Sequence, residues 1–158
     1  MDTVMPASSG PSNAEYAAGA FAPQDRHSEQ LAERGLCHYM TQIATGLGLG
    51  MEAAYWDMAC AVTAYLPLDA RLPGVPNCDI ALTWDGQHGW AIGVEYDSKP
   101  GLLVLGYLGG SVLPPPRTVV DFVERALTGE GQVQWYRPQL PTADVSRRLA
   151  EYAPPPTT

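Results

Sequence analysis

Apolar residues recur at helical spacing over 28–47, where Leu36, Met40, Ile43 and Leu47 form one stripe with Tyr39 at its edge. The spacing predicts a first helix, weakened at Gly35 and ended by the run GLGLG at 46–50. Beyond it the period falls to two. CAVTAYLPL at 60–68 reads as a strand, and DARLPGVPN as a proline- and glycine-rich loop. Three more strands are expected near 78–84, 89–96 and 102–108, separated by the turn-forming runs DGQHG and DSKPG. LPPPRTVVDFVERALTG then predicts a second helix: prolines lead into it, Val119, Val120, Val123, Ala126 and Leu127 share a face, and Gly129 stops it. QVQWYRPQL reads as a short edge strand, since Pro138 has no N–H to give a central ladder. A last helix is expected over 142–152, with Thr142 as N-cap and Val145, Leu149 and Tyr152 on one face. Strands joined by tight turns pair antiparallel. The fold class is therefore α+β: an antiparallel sheet of the three-stranded meander plus one or two further strands, with helices packed mainly on one face.

Strand period also decides which residues share a face. Ile80, Leu82 and Trp84 alternate on one strand, and Trp90, Ile92, Val94 and Tyr96 on the next. Both sets land on one face if Trp84 pairs with Trp90, leaving five residues to connect them. A two-residue turn at Gly86-Gln87 would instead set Leu82 opposite Ala91 and split the apolar set. Burying a large side chain contributes roughly 1.5–3 kcal/mol, so the Trp84–Trp90 register wins. The tryptophans are core residues first. Carried to the third strand, the same logic pairs Tyr96 with Leu102 and adds Val104 to the core face.

The opposite face then carries Asp79, Ala81 and Thr83, then Ala91, Gly93 and Glu95, then Leu103, Leu105 and Tyr107. A wholly solvated face has no need of the last three together, so a cover is expected: the N-terminal segment, a second copy or another protein. Asp79 also meets Glu95 across the ladder. Such a pair is unfavourable by a few tenths to ~1 kcal/mol unless an arginine, a proton or a cation relieves it. Asp79, Glu95, Leu103, Leu105 and Tyr107 are accordingly the candidate interaction or ligand face. A solvated carboxylate pair beside ordinary sheet residues is the plainer account of the same positions.

Composition changes this picture mainly by exclusion. The 158 residues fit one domain, expected over 24–153. It lies between an Ala/Ser/Pro/Gly-rich tail at 1–23, expected to be disordered, and a loose end at 154–158. A net charge of −8 repels phosphate backbones and speaks against nucleic acid as a partner. No apolar run approaches the ~18 residues of a membrane span, and the first residues carry no signal-peptide pattern. Cys37, Cys60 and Cys78 are odd in number and lack CxxC spacing, which reads as reduced thiols and a cytoplasmic location.

Recognisable chemistry is equally sparse. His27, His38 and His88 show no zinc spacing, so no metal is expected. GLGLG ends a helix rather than joining a strand to one, which removes the dinucleotide-loop reading. GGSVL at 109–113 is the nearest approach to a nucleophile motif and reads as a turn. Neither a catalytic residue nor a cofactor is expected.

DIALTWDGQHGWAIGVE, followed by LLVLGYLGGSVLPPPRTVVDFVERAL, resembles a functionally uncharacterised family of small actinomycete domains. The resemblance covers roughly 30–130 and rests on the WD-turn-HGW hairpin and the GYLGG-to-proline step. It implies a cytoplasmic bacterial setting and brings no catalytic residues. In size, charge and element order the chain is also similar to bacterial secretion chaperones, which dimerise and hold partner segments. The expected function is a non-enzymatic protein-interaction or regulatory module, dimeric, whose partner is another protein or a second copy of itself. The alternative is a small-molecule-binding protein or small enzyme with a pocket over Asp79, Glu95 and Tyr107.

Overall fold

A computed structural model describes residues 23–59, 61–96, 99–130 and 133–156. The expected N-terminal tail lies outside these but for Pro23, which opens the first helix, and the last two residues lie outside as well. In chain order the elements are α1 (Pro23–Gly46), β1 (Tyr55–Asp57), β2 (Thr63–Leu68), β3 (Asp79–Asp85), β4 (Gly89–Tyr96), β5 (Lys99–Tyr107), α2 (Pro116–Thr128) and α3 (Val145–Ala150). The five strands form one antiparallel sheet in sequential order, and the helices pack against it, so the fold is α+β.

The predicted helical stripe is what α1 buries: Leu36, Tyr39, Met40 and Ile43 are fully enclosed, joined by Ala32 and Ala44. Gly35 does more than weaken the helix. A Cβ there would stand 1.7 Å from the carbonyl oxygen of Leu149, so glycine is what lets α3 cross α1 at backbone contact. In α2, Pro116 occupies the first turn, where its missing N–H costs nothing, and Val119, Val120, Phe122 and Val123 face the core. Gly129 closes α2 in a left-handed conformation (φ 74°), with the next N–H, of Glu130, donating to Arg125 O at 2.9 Å.

Two expected elements are shorter than their patterns. The last helix spans only Val145–Ala150, and Asp144, not Thr142, stands at its N-cap, at φ 61° with no side-chain cap bond. Tyr152 still faces inward, 4.8 Å from the Tyr39 ring. The stretch around 134 makes a single bridge to Tyr107 rather than a strand. Conversely β1 was not expected. It covers β2 only at Thr63–Tyr65, so at Pro67 β2 is itself the edge, where a proline needs no ladder partner.

Trp84 pairs with Trp90 and Asp79 with Glu95, as the apolar pattern requires. Both indoles are buried, with Ile80, Leu82, Ile92 and Val94 beside them. The register of β5 differs from the expectation. Tyr96 pairs with Lys99, not Leu102, and shifts occur between Ile92 and Gly93 and between Glu95 and Tyr96. Gly93 explains the first: a Cβ there would lie 2.7 Å from Leu103 O and from Leu102 Cγ, so the glycine admits the close approach of β5.

The slip at Ile92/Gly93 is by one residue and moves side chains to the other face, whereas the shift at Glu95/Tyr96 is by two and keeps the alternation. Leu103 pairs with Val94, on the helix side, and Val104 pairs with Gly93, on the opposite side. Leu105 packs against the core beneath α2. Tyr96, expected in the core, is 40% exposed.

Candidate functional site

The tryptophan hairpin builds a latch. Trp84 Nε1 donates to Val112 O at 2.6 Å, and Trp90 Nε1 donates to Tyr39 Oη at 3.0 Å. Tyr39 passes the chain on, its hydroxyl donating to Pro114 O at 2.5 Å, while Arg148 Nη2 donates to Leu113 O at 3.1 Å. Three successive carbonyls between β5 and α2 are thus held by side chains from the hairpin, α1 and α3. Burial pushes the Tyr39 hydroxyl well above the usual phenol range, which keeps it neutral and available to both bonds. The indole N–H groups and the Tyr39 hydroxyl are engaged internally, so this buried cluster is architecture.

The acids on the other face have been relieved separately. Arg71 Nη1 lies 2.7 Å from Asp79 Oδ1, and the Tyr65 hydroxyl donates to Glu95 Oε1 at 2.5 Å. An open groove of about 360 Å³ touches both acids and is also lined by Glu52 and Asp69. Tyr107 is not part of it. It pairs with Ala91, four residues along β4 from Glu95, or roughly 13 Å at strand rise. Of the five predicted face residues, then, Asp79 and Glu95 stand together, Tyr107 shares their face at a distance, and Leu103 and Leu105 are on the helix side.

Tyr65 lies on β2, outside the β3–β4 hairpin whose alternation sets the register, so the sequence alone does not bring it to Glu95. Burial, followed by its hydrogen bond to Glu95, pushes the Tyr65 hydroxyl from its ordinary value near 10 up to about 12. A phenol favoured in its neutral form stabilises the fold fully below pH 10, and that contribution disappears as pH rises through 12. Chemical unfolding should therefore show wild type more stable than Tyr65→Phe below pH 10, with the difference shrinking between pH 10 and 12. A pH-independent difference would contradict the assignment.

The last strand carries a different surface. Among the described residues, the outer side of β5 is paired at one point, where Tyr107 and Gln134 exchange backbone bonds of 2.6 and 3.1 Å. Arg137 Nε donates to Tyr107 Oη at 3.4 Å and fastens the same segment a second time. Between these ties Trp135 and Tyr136 are 83% and 56% exposed, their rings edge to face. Leu103 is 53% exposed on the neighbouring stretch of β5. Behind it lies a groove of about 350 Å³ lined by Leu72, Val75, Ile92, Leu105 and Val133, with Arg125 its one charged residue among the described residues.

A family model, DUF6292, a family of unknown function, matches residues 39–125. The chain belongs to the DUF6292 family. No curated protein and no solved structure gives a significant match. The DUF6292 match begins at the latch tyrosine, Tyr39, takes in the whole sheet and ends at the groove arginine, Arg125. Leu149 and the Trp135–Tyr136 pair lie outside it.

Other expected chemistry is placed without forming a site. His88 Nδ1 sits 3.0 Å from Pro138 O, and His38 shares a hydrogen bond with Gln42 on α1. Cys37 and Cys78 are free thiols, and Cys60 lies outside the described residues. Among the described residues no His, Cys, Asp or Glu cluster could hold a metal ion, and no helix is long and apolar enough to cross a membrane.

Proposed function

We propose that this DUF6292 chain is a non-enzymatic, cytoplasmic protein-interaction module that works through the flank of β5. The observation that carries the reading is the exposure of Leu103, Trp135 and Tyr136 along one sheet edge, beside an apolar groove. Tryptophan, tyrosine and arginine dominate the binding energy of protein interfaces, and an open edge strand offers unpaired backbone groups. The opposite sheet face has less to offer. Its central positions, Ala81, Ala91 and Gly93, are small and already buried.

The alternative, a ligand pocket over Asp79, Glu95 and Tyr107, has weaker support. Each acid already has its own internal partner, and Tyr107 is bonded to Arg137 some distance away. A photo-crosslinking amino acid placed in living cells at Leu103, at Trp135 and at Tyr55 tests the choice. Tyr55 is 62% exposed and belongs to the opposite face at the far edge. Protein adducts from positions 103 and 135 but not 55 are expected. Adducts from 55 alone, or from none of the three, would overturn the reading.

A further inference from the structure

We propose that the occupant of the β5 flank is a second copy of this chain, joined edge to edge across a two-fold axis. This rests on the interaction reading above and names its partner. Charge is the first argument. The chain carries 17 acidic residues against 9 basic ones, so two copies repel over most of their surfaces. β5, KPGLLVLGY, contains no acidic residue, and among the described residues the groove behind it holds one charge, Arg125. The opposite edge strand, β1, is three residues long and includes Asp57. Short, charged edges are how sheets avoid pairing: β1 is blunted along its whole length and β2 carries Pro67 where it becomes the edge, whereas on β5 Lys99 and Pro100 stand only at the start, ahead of the apolar run Leu102–Leu105. Copies meeting at β5 therefore meet where the repulsion is least.

Geometry supplies the second argument. Antiparallel strands are compatible with a two-fold axis, so an edge can pair with itself. Leu103 and the Leu105-lined groove lie on the same, helix-facing side of β5. A two-fold axis through that stretch turns the exposed Leu103 of each copy toward the groove of the other. The surface is self-complementary, as an isologous interface must be. Area is the third. A fully buried tryptophan or tyrosine covers roughly 150–250 Å², of which Trp135 and Tyr136 still expose 83% and 56%. Trp135 and Tyr136, added to Leu103 and the strand edge, move each copy toward the ~800 Å² of a standard interface.

Sedimentation equilibrium of the purified full chain is the test, with Leu103→Lys and Trp135→Glu as variants and circular dichroism to monitor the fold. The expected wild-type particle has twice the 17.0 kDa mass of one chain. Each variant should raise the dimer dissociation constant by at least ~30-fold while leaving the spectrum unchanged. Should Leu103→Lys disturb the fold, Trp135→Glu still decides, because its side chain is 83% exposed. A monomer at the highest attainable concentration would overturn the proposal, and so would a dimer indifferent to both variants. The two readings fail differently. Crosslinks from Leu103 to a protein of another mass would remove the second copy and keep the interaction module, whereas a monomer with no crosslinks would remove both.

Discussion

Gly35→Ala is expected to destabilise the protein by about 2 kcal/mol or more, against the ordinary trend for helices. Alanine in a helix interior is worth up to ~1 kcal/mol over glycine from propensity alone. Here the added Cβ would fall 1.7 Å from Leu149 O and 2.5 Å from its carbonyl carbon. Those are backbone atoms, so no rotamer change can clear them. Overpacking of this kind costs typically 1–3 kcal/mol, and more where the obstacle cannot move. α3 must withdraw, taking with it Leu149, which is fully buried, and loosening the Arg148 bond to Leu113 O. Urea unfolding should show a lowered midpoint, and amide exchange should quicken through Val145–Ala150. A variant as stable as wild type would mean that α3 does not dock on α1 at that point.

Trp84→Ala should be costlier still. The indole is 1% exposed, and truncating a buried aromatic costs about 3–5 kcal/mol through lost contacts and the cavity left behind. The substitution also strips Val112 O of its donor, adding a desolvation penalty of about 1–3 kcal/mol. Domains are stable by only about 5–15 kcal/mol, so this is a large share of the total. Trp84→Phe separates the two effects by keeping most of the volume while losing the bond. Trp135→Ala serves as the contrast: an exposed site away from the core should shift stability by no more than ~0.5 kcal/mol. Equal costs at Trp84 and Trp135 would contradict the latch.

Much of this was legible in the chain because burial and strand period act together. The Trp84–Trp90 and Asp79–Glu95 pairings followed from keeping Ile80, Leu82, Ile92 and Val94 on one face. That logic stopped at β5, where glycine intervened. Alternation predicts a face only while the ladder is regular, and Gly93 lets β5 approach closely enough to slip. Leu103 and Leu105 changed sides as a result, and the proposed contact surface moved from the sheet face to its edge. β1 escaped notice because three residues carry no period. Tyr65 escaped with it, since a partner that reaches Glu95 from two strands away is a tertiary fact. Trp135 and Tyr136 were visible as residues, yet only the Tyr107–Gln134 bridge shows that they border the β5 edge.

The reading of β5 as the working surface is tested most directly by fluorine NMR of the protein labelled with fluorotryptophan, in dilute solution and inside the producing cell. Trp84 and Trp90 are buried and Trp56 half-buried, so their three signals should hold their positions in both settings. The Trp135 signal should be solvent-exposed at concentrations where the purified chain is monomeric and shifted, with its solvent sensitivity lost, in the cell. A Trp135 signal that stays fully exposed in the cell would contradict the account.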